Sequence, residues 1–480
     1  MSGSLECSRR VEELLRRLER ETSGLDVERP SLKVIEPGEV WWQDWGDAWP
    51  LLALYQLTGG SLSIPSAIIK PRDAESVAMT LKLASEVGVC IVPRGGGSGV
   101  LGGVAARSCC VILDLSSLSW VRVRMEDSIV EAGAGALLER VEEEAKSKGL
   151  TIGYYPQSLR VATVGGAIAS LGSGALQPGY GNIEDVVEYI DVATVEGEIL
   201  RLGAGPRGRL GPGLKDLIIG SEGTLGVIVS AGLRARALPE AIKRAVVRFK
   251  SFSQGLKAAR KLVQWNQPQI LRLIDGDEAS LLYGREGAHL LIAYMDIDSQ
   301  TAEELTRRAV RVAVLEGGED VGEDLFDEWW KERFSYGRRV RELWGAGLWF
   351  DTIDVMSWWS SLSETNEKLK EALRRYSLAV FSHASHFYPT GGALYVTFIV
   401  EARVDKLARA WHEALKELSR LSITPTHHHG IGVQKLLALT GGCPDWYVTY
   451  CKLAYVLDPK GVLNPYGLKA GCRRCLKEQT

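Results

Sequence analysis

Short apolar segments alternate with amphipathic stretches along most of the chain. At 11–21, Leu14, Leu15 and Leu18 share one face of a helical pattern whose other face is charged, so the spacing predicts an amphipathic helix. Further helices are predicted at 71–87 and 137–148, and they separate apolar runs that predict strands at 64–70, 89–92, 111–115 and 128–132. Strands alternating with helices in this way predict an α+β fold with mixed sheets.

The pattern changes near Pro239. Before it, strands are predicted at 189–195, 198–202 and 226–233. After it, strands alternate with long charged helices, the strands at 245–249, 289–294 and 393–400 and the helices at 301–315, 364–376 and 404–418. We therefore expect a second domain to begin close to residue 240, followed by a mostly helical tail from 430 onward.

Length, composition and charge limit the class of protein. The 480 residues suit two or three domains, and 45% hydrophobic with 24% charged residues is ordinary globular composition. A net charge of −3 gives no support to a nucleic-acid partner or to a polybasic membrane contact. No apolar run reaches the ~18 residues of a membrane span, and residues 1–21 lack the apolar core of a signal peptide. We expect a cytoplasmic protein.

The eight cysteines are too few for a disulfide framework in a chain of this length. Cys90, Cys109 and Cys110 stand in apolar surroundings and are interpreted as core residues. Cys472 and Cys475 form a C-x-x-C pair that suits a metal, a disulfide or a redox pair; a tail disulfide or free thiols are favoured, because no second ligand pair is present. A tryptophan cluster near the N-terminus is interpreted as a hydrophobic anchor for that segment; it comprises Trp41, Trp42, Trp45 and Trp49.

A glycine loop directly follows the strand at 89–92. Consecutive glycines let several backbone N–H groups point into one concavity, which suits a pyrophosphate. The loop lacks the Lys-Ser/Thr pair of a P-loop and does not open a helix as a dinucleotide fingerprint does. Taken alone it could be a structural turn. Its candidate cofactor-binding residues are Pro93, Arg94, Gly95, Gly96, Gly97, Ser98 and Gly99.

Two later clusters support a large phosphate-bearing ligand. Hydroxyls and glycine amides at these spacings can donate hydrogen bonds to phosphates and to a ring carbonyl. The candidates in the second cluster are Gln157, Ser158, Thr163, Gly165, Gly166, Ser170, Gly172 and Ser173. Those in the third are Glu222, Gly223, Thr224, Leu225, Gly226, Val227 and Ile228. Between these two clusters, the segment 180–185 is predicted to form a turn and a helix cap.

In this order and spacing the three clusters resemble the FAD-binding domain of the vanillyl-alcohol-oxidase type flavoenzymes (the PCMH-type FAD-binding domain), over about residues 64–468. The resemblance implies an α+β fold in which a two-subdomain FAD-binding domain carries a cap domain with an antiparallel sheet. It divides the chain into an N-terminal helical segment at 1–60, the FAD-binding domain at 61–239, the cap at 240–425 and a C-terminal return at 426–480. Residues 95–103 hold neither histidine nor cysteine, so FAD is expected to bind non-covalently.

Within that family, several segments resemble the alkyldihydroxyacetonephosphate (alkylglycerone-phosphate) synthases; they lie at 45–47, 180–185, 271–273, 394–395 and 427–432. The resemblance implies that Tyr395 is an acid/base, that His427, His428 and His429 line the flavin, and that Arg272 supports the active site. Imidazoles beside a flavin can stabilise its reduced anion and move protons.

Other interpretations of these residues remain open. The histidine triplet could be a metal site or a solvated loop, but adjacent histidines on a strand point in different directions, so no metal is predicted. Tyr395 could simply pack in its strand. With a pKa near ~10, a tyrosine needs a nearby cation to act as a base, and we expect the histidines or Arg272 to supply it. His383 and His386 are secondary candidates.

The resemblance is incomplete in the cap. A substrate-phosphate arginine of the synthases falls near Trp358 here, and Arg338, Arg339 or Arg341 could substitute for it. The stretch His-x-Gly-Asp-Gly-Asn-x-His, usual in 2-hydroxy-acid dehydrogenases, is absent, and His428 stands where their Glu-His-Gly-Ile-Gly stretch has glutamate. Both departures favour the synthase branch.

We therefore expect an FAD-dependent enzyme resembling the synthases of ether lipid biosynthesis, with chemistry at flavin N5 on a small oxygenated or phosphorylated substrate. The alternatives are an FAD-dependent D-2-hydroxy-acid dehydrogenase of the D-lactate or glycolate type, and a non-catalytic flavin-binding protein. A homodimer is left open, and so is a membrane or electron-acceptor contact through exposed tryptophans; the candidates are Trp329, Trp330, Trp358 and Trp359.

Overall fold

The computed structural model describes residues 2–22, 25–31, 46–60, 63–203, 205–206, 211–265, 267–421, 423–436, 439 and 441–478. Three tryptophans of the predicted N-terminal anchor, Trp41, Trp42 and Trp45, lie outside these residues. The fourth, Trp49, is half-buried, and its indole N–H donates to Oε1 of Gln434 at 2.8 Å. That bond ties the N-terminal segment to the C-terminal part of the chain.

The strands, in chain order, are β1 (Leu25–Glu28), β2 (Ala67–Pro71), β3 (Cys90–Arg94), β4 (Cys110–Asp114), β5 (Val121–Arg124), β6 (Ile129–Gly133), β7 (Leu150–Thr151), β8 (Val187–Ala193), β9 (Ile199–Leu202), β10 (Val227–Arg234), β11 (Arg236–Ala237), β12 (Ala241–Phe249), β13 (Ile270–Ile274), β14 (Ala288–Asp296), β15 (Glu319–Asp320), β16 (Leu348–Trp358), β17 (Ala379–Tyr388) and β18 (Gly391–Glu401).

The helices are α1 (Ser2–Glu21), α2 (Pro50–Leu57), α3 (Ala74–Val87), α4 (Leu138–Lys146), α5 (Val164–Ala169), α6 (Gln177–Tyr180), α7 (Ile183–Val186), α8 (Leu214–Ile218), α9 (Phe252–Trp265), α10 (Gly276–Tyr283), α11 (Ser299–Leu315), α12 (Asp324–Glu332), α13 (Tyr336–Gly345), α14 (Leu362–Arg374), α15 (Val404–Leu418), α16 (Asp445–Leu457) and α17 (Cys472–Lys477).

Two large sheets build the first domain, together with a short antiparallel pair of β7 and β11. One has the strand order β1-β2-β4-β3, in which β2, β4 and β3 run parallel. The other has the order β5-β6-β10-β8-β9 and is antiparallel. A continuous apolar core joins both sheets to α1, α3 and α4. The C-terminal tail returns to this domain, where the N–H of Ile91 donates to the carbonyl of Val462 at 2.9 Å.

The cap sheet is a seven-stranded antiparallel sheet with the order β15-β12-β14-β13-β17-β18-β16. All its strands come from residues 241–401, inside the segment predicted as the cap. On β18, Leu394 and Val396 point into the core formed with α9, α11, α14 and α15. Because side chains alternate along a strand, Tyr395 and Thr397 point to the opposite face, where a large cavity separates the sheet from the first domain.

The disulfides correct the interpretation of the cysteines. All eight are paired, as Cys7–Cys109, Cys90–Cys110, Cys443–Cys475 and Cys451–Cys472. Cys472 and Cys475 do not bond with each other; they lie one turn apart on α17 and each bonds to a cysteine earlier in the chain. The pairings join residues 20 to 102 positions apart, so local spacing does not reveal them. Disulfides persist in oxidising compartments and inside hyperthermophiles, so cysteine usage no longer supports a cytoplasmic location.

None of the helices in the described ranges combines the length and the apolar character that crossing a bilayer requires. Of the four tryptophans suggested for a surface contact, Trp329 is buried, Trp330 and Trp359 are half-buried, and Trp358 is exposed. A membrane or acceptor contact therefore stays a prediction, and it depends mainly on Trp358.

Candidate functional site

The three glycine-rich clusters converge on one cavity of about 1200 Å³ between the first domain and the cap sheet. The first loop follows β3, and within the described part of the chain the N–H groups of Gly95, Gly96, Gly97 and Ser98 donate no backbone hydrogen bond. Such a row of donors facing a cavity suits the phosphates of FAD. The residues present therefore fit an extended dinucleotide.

Close packing explains why glycines stand in this loop. A Cβ on Gly96 would lie 1.7 Å from the carbonyl oxygen of Val161, and one on Gly95 would lie 2.2 Å from Oγ1 of Thr163. The first two clusters thus touch through positions that only glycine can occupy. Arg94 is buried and braces the loop: its Nε donates to the carbonyl of Gly46 at 3.0 Å.

The second cluster caps a short helix at the cavity wall. Thr163 is the N-cap of α5, and its hydroxyl oxygen accepts from the N–H of Gly166 at 3.4 Å. Every predicted residue of this cluster lines the cavity, namely Gln157, Ser158, Thr163, Gly165, Gly166, Ser170, Gly172 and Ser173. All the predicted residues of this cluster therefore reach the cavity, and their role in binding FAD stays a prediction.

The third cluster reaches the cavity only in part. Glu222, Gly223, Gly226, Val227 and Ile228 line it. Thr224 and Leu225 are buried behind it; the Thr224 hydroxyl donates to the carbonyl of Ser221 at 2.6 Å and accepts from Tyr450 at 2.6 Å. These two predicted residues therefore hold the loop in place.

Tyr395 lies at the cap end of the cavity. It is buried, and on the neighbouring strands its register partners are His383 on β17 and Asp354 on β16. Its hydroxyl is 2.9 Å from Nδ1 of His427 and 2.7 Å from Nδ1 of His428. The predicted acid/base thus contacts two members of the histidine triplet at once.

The triplet faces two directions. His428 and His429 line the cavity. His427 turns away, and its Nε2 lies 2.7 Å from the hydroxyl of Tyr388. The backbone after the triplet is held by Glu222, whose Oε1 accepts from the N–H of Ile431 at 2.6 Å. A carboxylate predicted to bind cofactor therefore also connects the first domain to the histidine loop.

The environment of Tyr395 differs from the expected one. Burial, followed by the negative charge of Asp354, raises the pKa of Tyr395 well above its usual value, and Arg272 opposes this only weakly. Burial lowers the pKa of His427 to about 4, and burial together with the neighbouring imidazoles holds that of His428 well below its usual value. Neutral imidazoles therefore flank a protonated tyrosine. His427 and His428 do not supply the expected cation, and the charge of Arg272 lowers the pKa of Tyr395 less than burial and Asp354 raise it.

Arg272 belongs to a second buried group. Its Nη2 donates to Oε1 of Glu278 at 2.9 Å, while its Nε has no hydrogen-bond partner among the described residues. Oε2 of Glu278 lies 2.9 Å from Nδ1 of His383, whose ring stacks on Tyr395 at 4.9 Å. Burial opposes ionisation of Glu278, but His383 and Arg272 outweigh it and lower its pKa to about 2. Arg272 therefore supports the tyrosine through a carboxylate and an imidazole.

His386 joins the cap to the first domain. Its Nδ1 lies 2.9 Å from the hydroxyl of Ser173, which in turn donates to Oδ1 of Asn182 at 2.5 Å. The Nδ2 group of Asn182 donates to the hydroxyl of Tyr388 at 2.7 Å. Since the Ser173 hydroxyl has one proton, Nδ1 of His386 must donate to it. The segment 180–185 is therefore both a helix cap and a contact with the site.

Nitrogen atoms of His386, His427 and His428 lie within 4.8 Å of one another, the distance range of a metal site. Two of these imidazoles already hydrogen-bond to Tyr395 through Nδ1. The absence of a metal stays a prediction.

Beyond Tyr395 the cavity continues along the cap sheet. Its apolar lining comprises Leu281, Trp329, Phe334, Tyr336, Leu343, Phe350, Phe381 and Ile399. Arg333, Arg338 and Arg339 also line it. Arg338 pairs with Glu342 at 3.0 Å, whereas Arg333 stacks on the ring of Trp330 at 3.6 Å. Of the suggested substitute arginines, Arg338 and Arg339 reach the cavity, and the exposed Trp358 does not line it.

Sequence reasoning missed four polar residues of the site: Glu278, Asp354, Tyr388 and Lys435. Asp354 gave a weak signal, since it is an acidic residue within a largely apolar segment, whereas Glu278 is one of three acidic residues at 275–278 and does not stand out. Tyr388 and Lys435 gave none, because their importance arises only from contacts with distant parts of the chain.

Known proteins match the sequence over most of its length. A family model described as "FAD binding domain" matches residues 65–203, and one described as "FAD linked oxidases, C-terminal domain" matches residues 238–468. The alkyldihydroxyacetonephosphate synthase of Dictyostelium discoideum is 24% identical over 446 residues, which cover 84% of this chain and 72% of the synthase. The D-lactate dehydrogenase of Archaeoglobus fulgidus is 24% identical over 415 residues, which cover 83% of this chain and 90% of the dehydrogenase.

Solved structures also resemble this chain. An alkyldihydroxyacetonephosphate synthase has a TM-score of 0.76 at 19% identity, with 94% of this chain and 85% of that chain covered. The expected α+β fold with an antiparallel cap sheet and the expected FAD cofactor are confirmed.

Proposed function

The chain belongs to the FAD-linked oxidase family, and from this premise we propose that it is a synthase-like FAD enzyme that acts on an amphiphilic substrate. The observation that carries the proposal is the placement of Tyr395 between neutral imidazoles, at the entrance to an apolar, arginine-lined compartment. Its apolar side chains suit an aliphatic chain, and its arginines suit an anionic head group, although Arg338 also pairs with Glu332 and Glu342.

The donor and acceptor positions suit an exchange of a carboxylate for an alcohol. In such an exchange the entering alcohol loses one proton as its oxygen forms the new C–O bond, and the leaving carboxylate departs with the bonding electrons. FAD, when bound, would supply the electrophilic N5 atom that activates the substrate carbon. Tyr395 can donate its proton to Nδ1 of His428. The pair can therefore take up the proton of the alcohol and later return it.

Three residue groups would hold FAD. The N–H groups of residues 95–98, which donate no backbone hydrogen bond within the described residues, suit the pyrophosphate. The second cluster supplies hydroxyls along the cavity wall, and His428 and His429 would face the reacting end. Residues 95–103 contain neither histidine nor cysteine, so we propose non-covalent binding. Acid precipitation should therefore release all the flavin into the supernatant.

The experiment is an anaerobic assay without an electron acceptor. Purified FAD-loaded protein is mixed with acyl-dihydroxyacetone phosphate and hexadecanol, and ether product and free fatty acid are measured by mass spectrometry. The proposal expects equal amounts of the two products and a higher kcat/KM for hexadecanol than for butanol. Absence of ether product with a fully FAD-loaded enzyme contradicts it.

A second candidate is a D-2-hydroxy-acid dehydrogenase. Its support is Arg272, which lines the cavity that also contains Tyr395, since a guanidinium suits a small carboxylate. The relative with D-lactate dehydrogenase activity points the same way. Bleaching of the flavin band by D-lactate under anaerobic conditions would support this candidate. If neither assay responds, a non-catalytic flavin-binding protein is favoured.

A further inference from the structure

Asp354 is a fully buried carboxylate on β16, and it faces the histidine loop. Its Oδ2 accepts from the backbone N–H of His427 at 2.7 Å and of His428 at 3.1 Å, and lies 3.4 Å from that of His429. Three successive N–H groups therefore converge on one oxygen atom. This arrangement is an anion nest whose anion is part of the protein.

Lys435 supplies the opposite charge. Its side chain is fully buried, and its Nζ donates to Oδ1 of Asp354 and, at 3.1 Å, to the carbonyl oxygen of the same residue. Nδ1 of His429 also lies 3.1 Å from Oδ1. A buried charge without compensation is strongly unfavourable, so carboxylate, lysine and loop amides form one mutually dependent group.

The same loop is held at its other end by the first domain. Both carboxylate oxygens of Glu222 lie 3.1 Å from the N–H of Gly432, and Gly430 and Gly432 have positive φ angles of 81° and 52°. The loop is thus anchored by one carboxylate from each domain. Only the Asp354 end fixes the direction of the three imidazoles.

We propose that Asp354, with Lys435 as its buried counter-ion, is a positioning residue that orients the histidine triplet. By fixing three consecutive N–H groups, it sends His427 toward Tyr388 and leaves His428 and His429 facing the cavity. This proposal depends on the proposed function only for the statement that the orientation of the imidazoles serves catalysis. The orientation itself is open to measurement on the bound flavin.

A second buried pair offers a matched control. Asp458 and Lys469 lie 2.7 Å apart with nearly no exposure, and Asp458 also accepts from two backbone N–H groups, those of Val462 at 3.1 Å and Leu463 at 2.8 Å. This pair resembles the first in chemistry and burial but contacts no histidine in the described structure. Variants of this pair therefore measure the effect of losing a buried ion pair that does not contact the histidine triplet.

The experiment compares Asp354→Asn, Lys435→Met and the double variant with the corresponding variants of Asp458 and Lys469, all loaded with FAD. Each single change leaves a charge or a polar group unpaired, so both pairs should lose melting temperature, and each double change should recover part of it. The positioning role predicts that the Asp354→Asn/Lys435→Met double variant still shows a shifted flavin reduction potential and at least a tenfold lower kcat. The control double variant should match wild type in both.

Two results would overturn the proposal. One is a double variant with wild-type potential and kcat, since the pair would then be purely structural. The other is an equal shift in the Asp458 and Lys469 double variant. If no substrate is turned over by wild type, the proposed function fails, but the potential still decides whether Asp354 positions the loop.

Discussion

Nδ1 of His427 lies 3.0 Å from Nδ1 of His428, and the Tyr395 hydroxyl is within hydrogen-bond distance of both. Two protonated Nδ1 atoms would repel each other at this separation, so the two rings carry their protons on different nitrogens. One arrangement satisfies every group: Asn182 donates to Tyr388, Tyr388 to Nε2 of His427, Nδ1 of His427 to Tyr395, and Tyr395 to Nδ1 of His428. The site thus contains a directed chain of donors that ends at the cavity.

Replacing Tyr395 by phenylalanine breaks this chain at its centre while it preserves the packing of the ring. We expect Tyr395→Phe to keep FAD and its visible absorption band but to lose about 10²- to 10⁴-fold in kcat, the usual contribution of a proton-transfer group. The measurement is steady-state turnover normalised to bound flavin.

Tyr447→Phe serves as the control for that experiment. Tyr447 is equally buried, and its hydroxyl donates to the carbonyl of Leu468 at 2.8 Å, away from the cavity. Its loss should cost about 1 kcal/mol of stability and leave kcat unchanged. Wild-type turnover in Tyr395→Phe would remove the hydroxyl from the mechanism.

Much of the fold could be predicted from local pattern. The helix predicted at 404–418 matches α15 (Val404–Leu418), and the strand predicted at 393–400 lies within β18. These segments have regular periodicity, which depends only on which face is buried. The neighbouring strands β16 and β17 were not predicted. They carry Asp354 and His383 among apolar residues, and such polar positions are stable only through partners far away in the chain.

The residues of the site also include some that could be predicted from the sequence and some that could not. Glycine runs indicate close approach of backbone, so the glycine-rich loops that line the cavity could be predicted from the sequence. The carboxylates that organise the site, Asp354 and Glu278, act through contacts with Lys435 and His383, and a single sequence does not contain such pairings. The neutral state of His427 and His428 follows from burial, which likewise becomes known only with the tertiary structure.

The lowered pKa of His427 makes stability depend on pH. Its pKa is about 4 in the folded protein against about 6.5 when unfolded, so between these values the unfolded state binds more protons. Stability from this group is complete above pH 6.5 and is lost as the pH falls toward 4. The loss amounts to about 1–3 kcal/mol.

The measurement is the melting temperature from pH 7 to pH 4. His427→Gln should flatten the decline, whereas His412→Gln, which alters an exposed histidine on α15, should leave it as in wild type. Equal slopes in all three proteins would show that His427 titrates normally.

The disulfides should stabilise the protein according to the length of chain they enclose. Cys7–Cys109 spans 102 residues and Cys443–Cys475 spans 32. On a chain-entropy basis these bonds contribute about 4.7 and about 3.7 kcal/mol. The Cys7→Ser/Cys109→Ser variant should therefore lose about 1 kcal/mol more than Cys443→Ser/Cys475→Ser in urea unfolding. The reverse order would mean that local packing outweighs chain entropy.

Gly96 gives the sharpest test of the phosphate-binding loop. A methyl group there meets the carbonyl oxygen of Val161, so Gly96→Ala must move the loop away from the second cluster. An overpacked position of this kind costs about 1–3 kcal/mol, and if the strain is relieved by displacing the loop, FAD affinity falls roughly five- to hundredfold. Flavin titration of the apoprotein measures this affinity. Gly345→Ala, whose added Cβ meets nothing within 4 Å, should bind FAD as wild type does. Unchanged affinity in Gly96→Ala would mean that the loop does not hold the pyrophosphate.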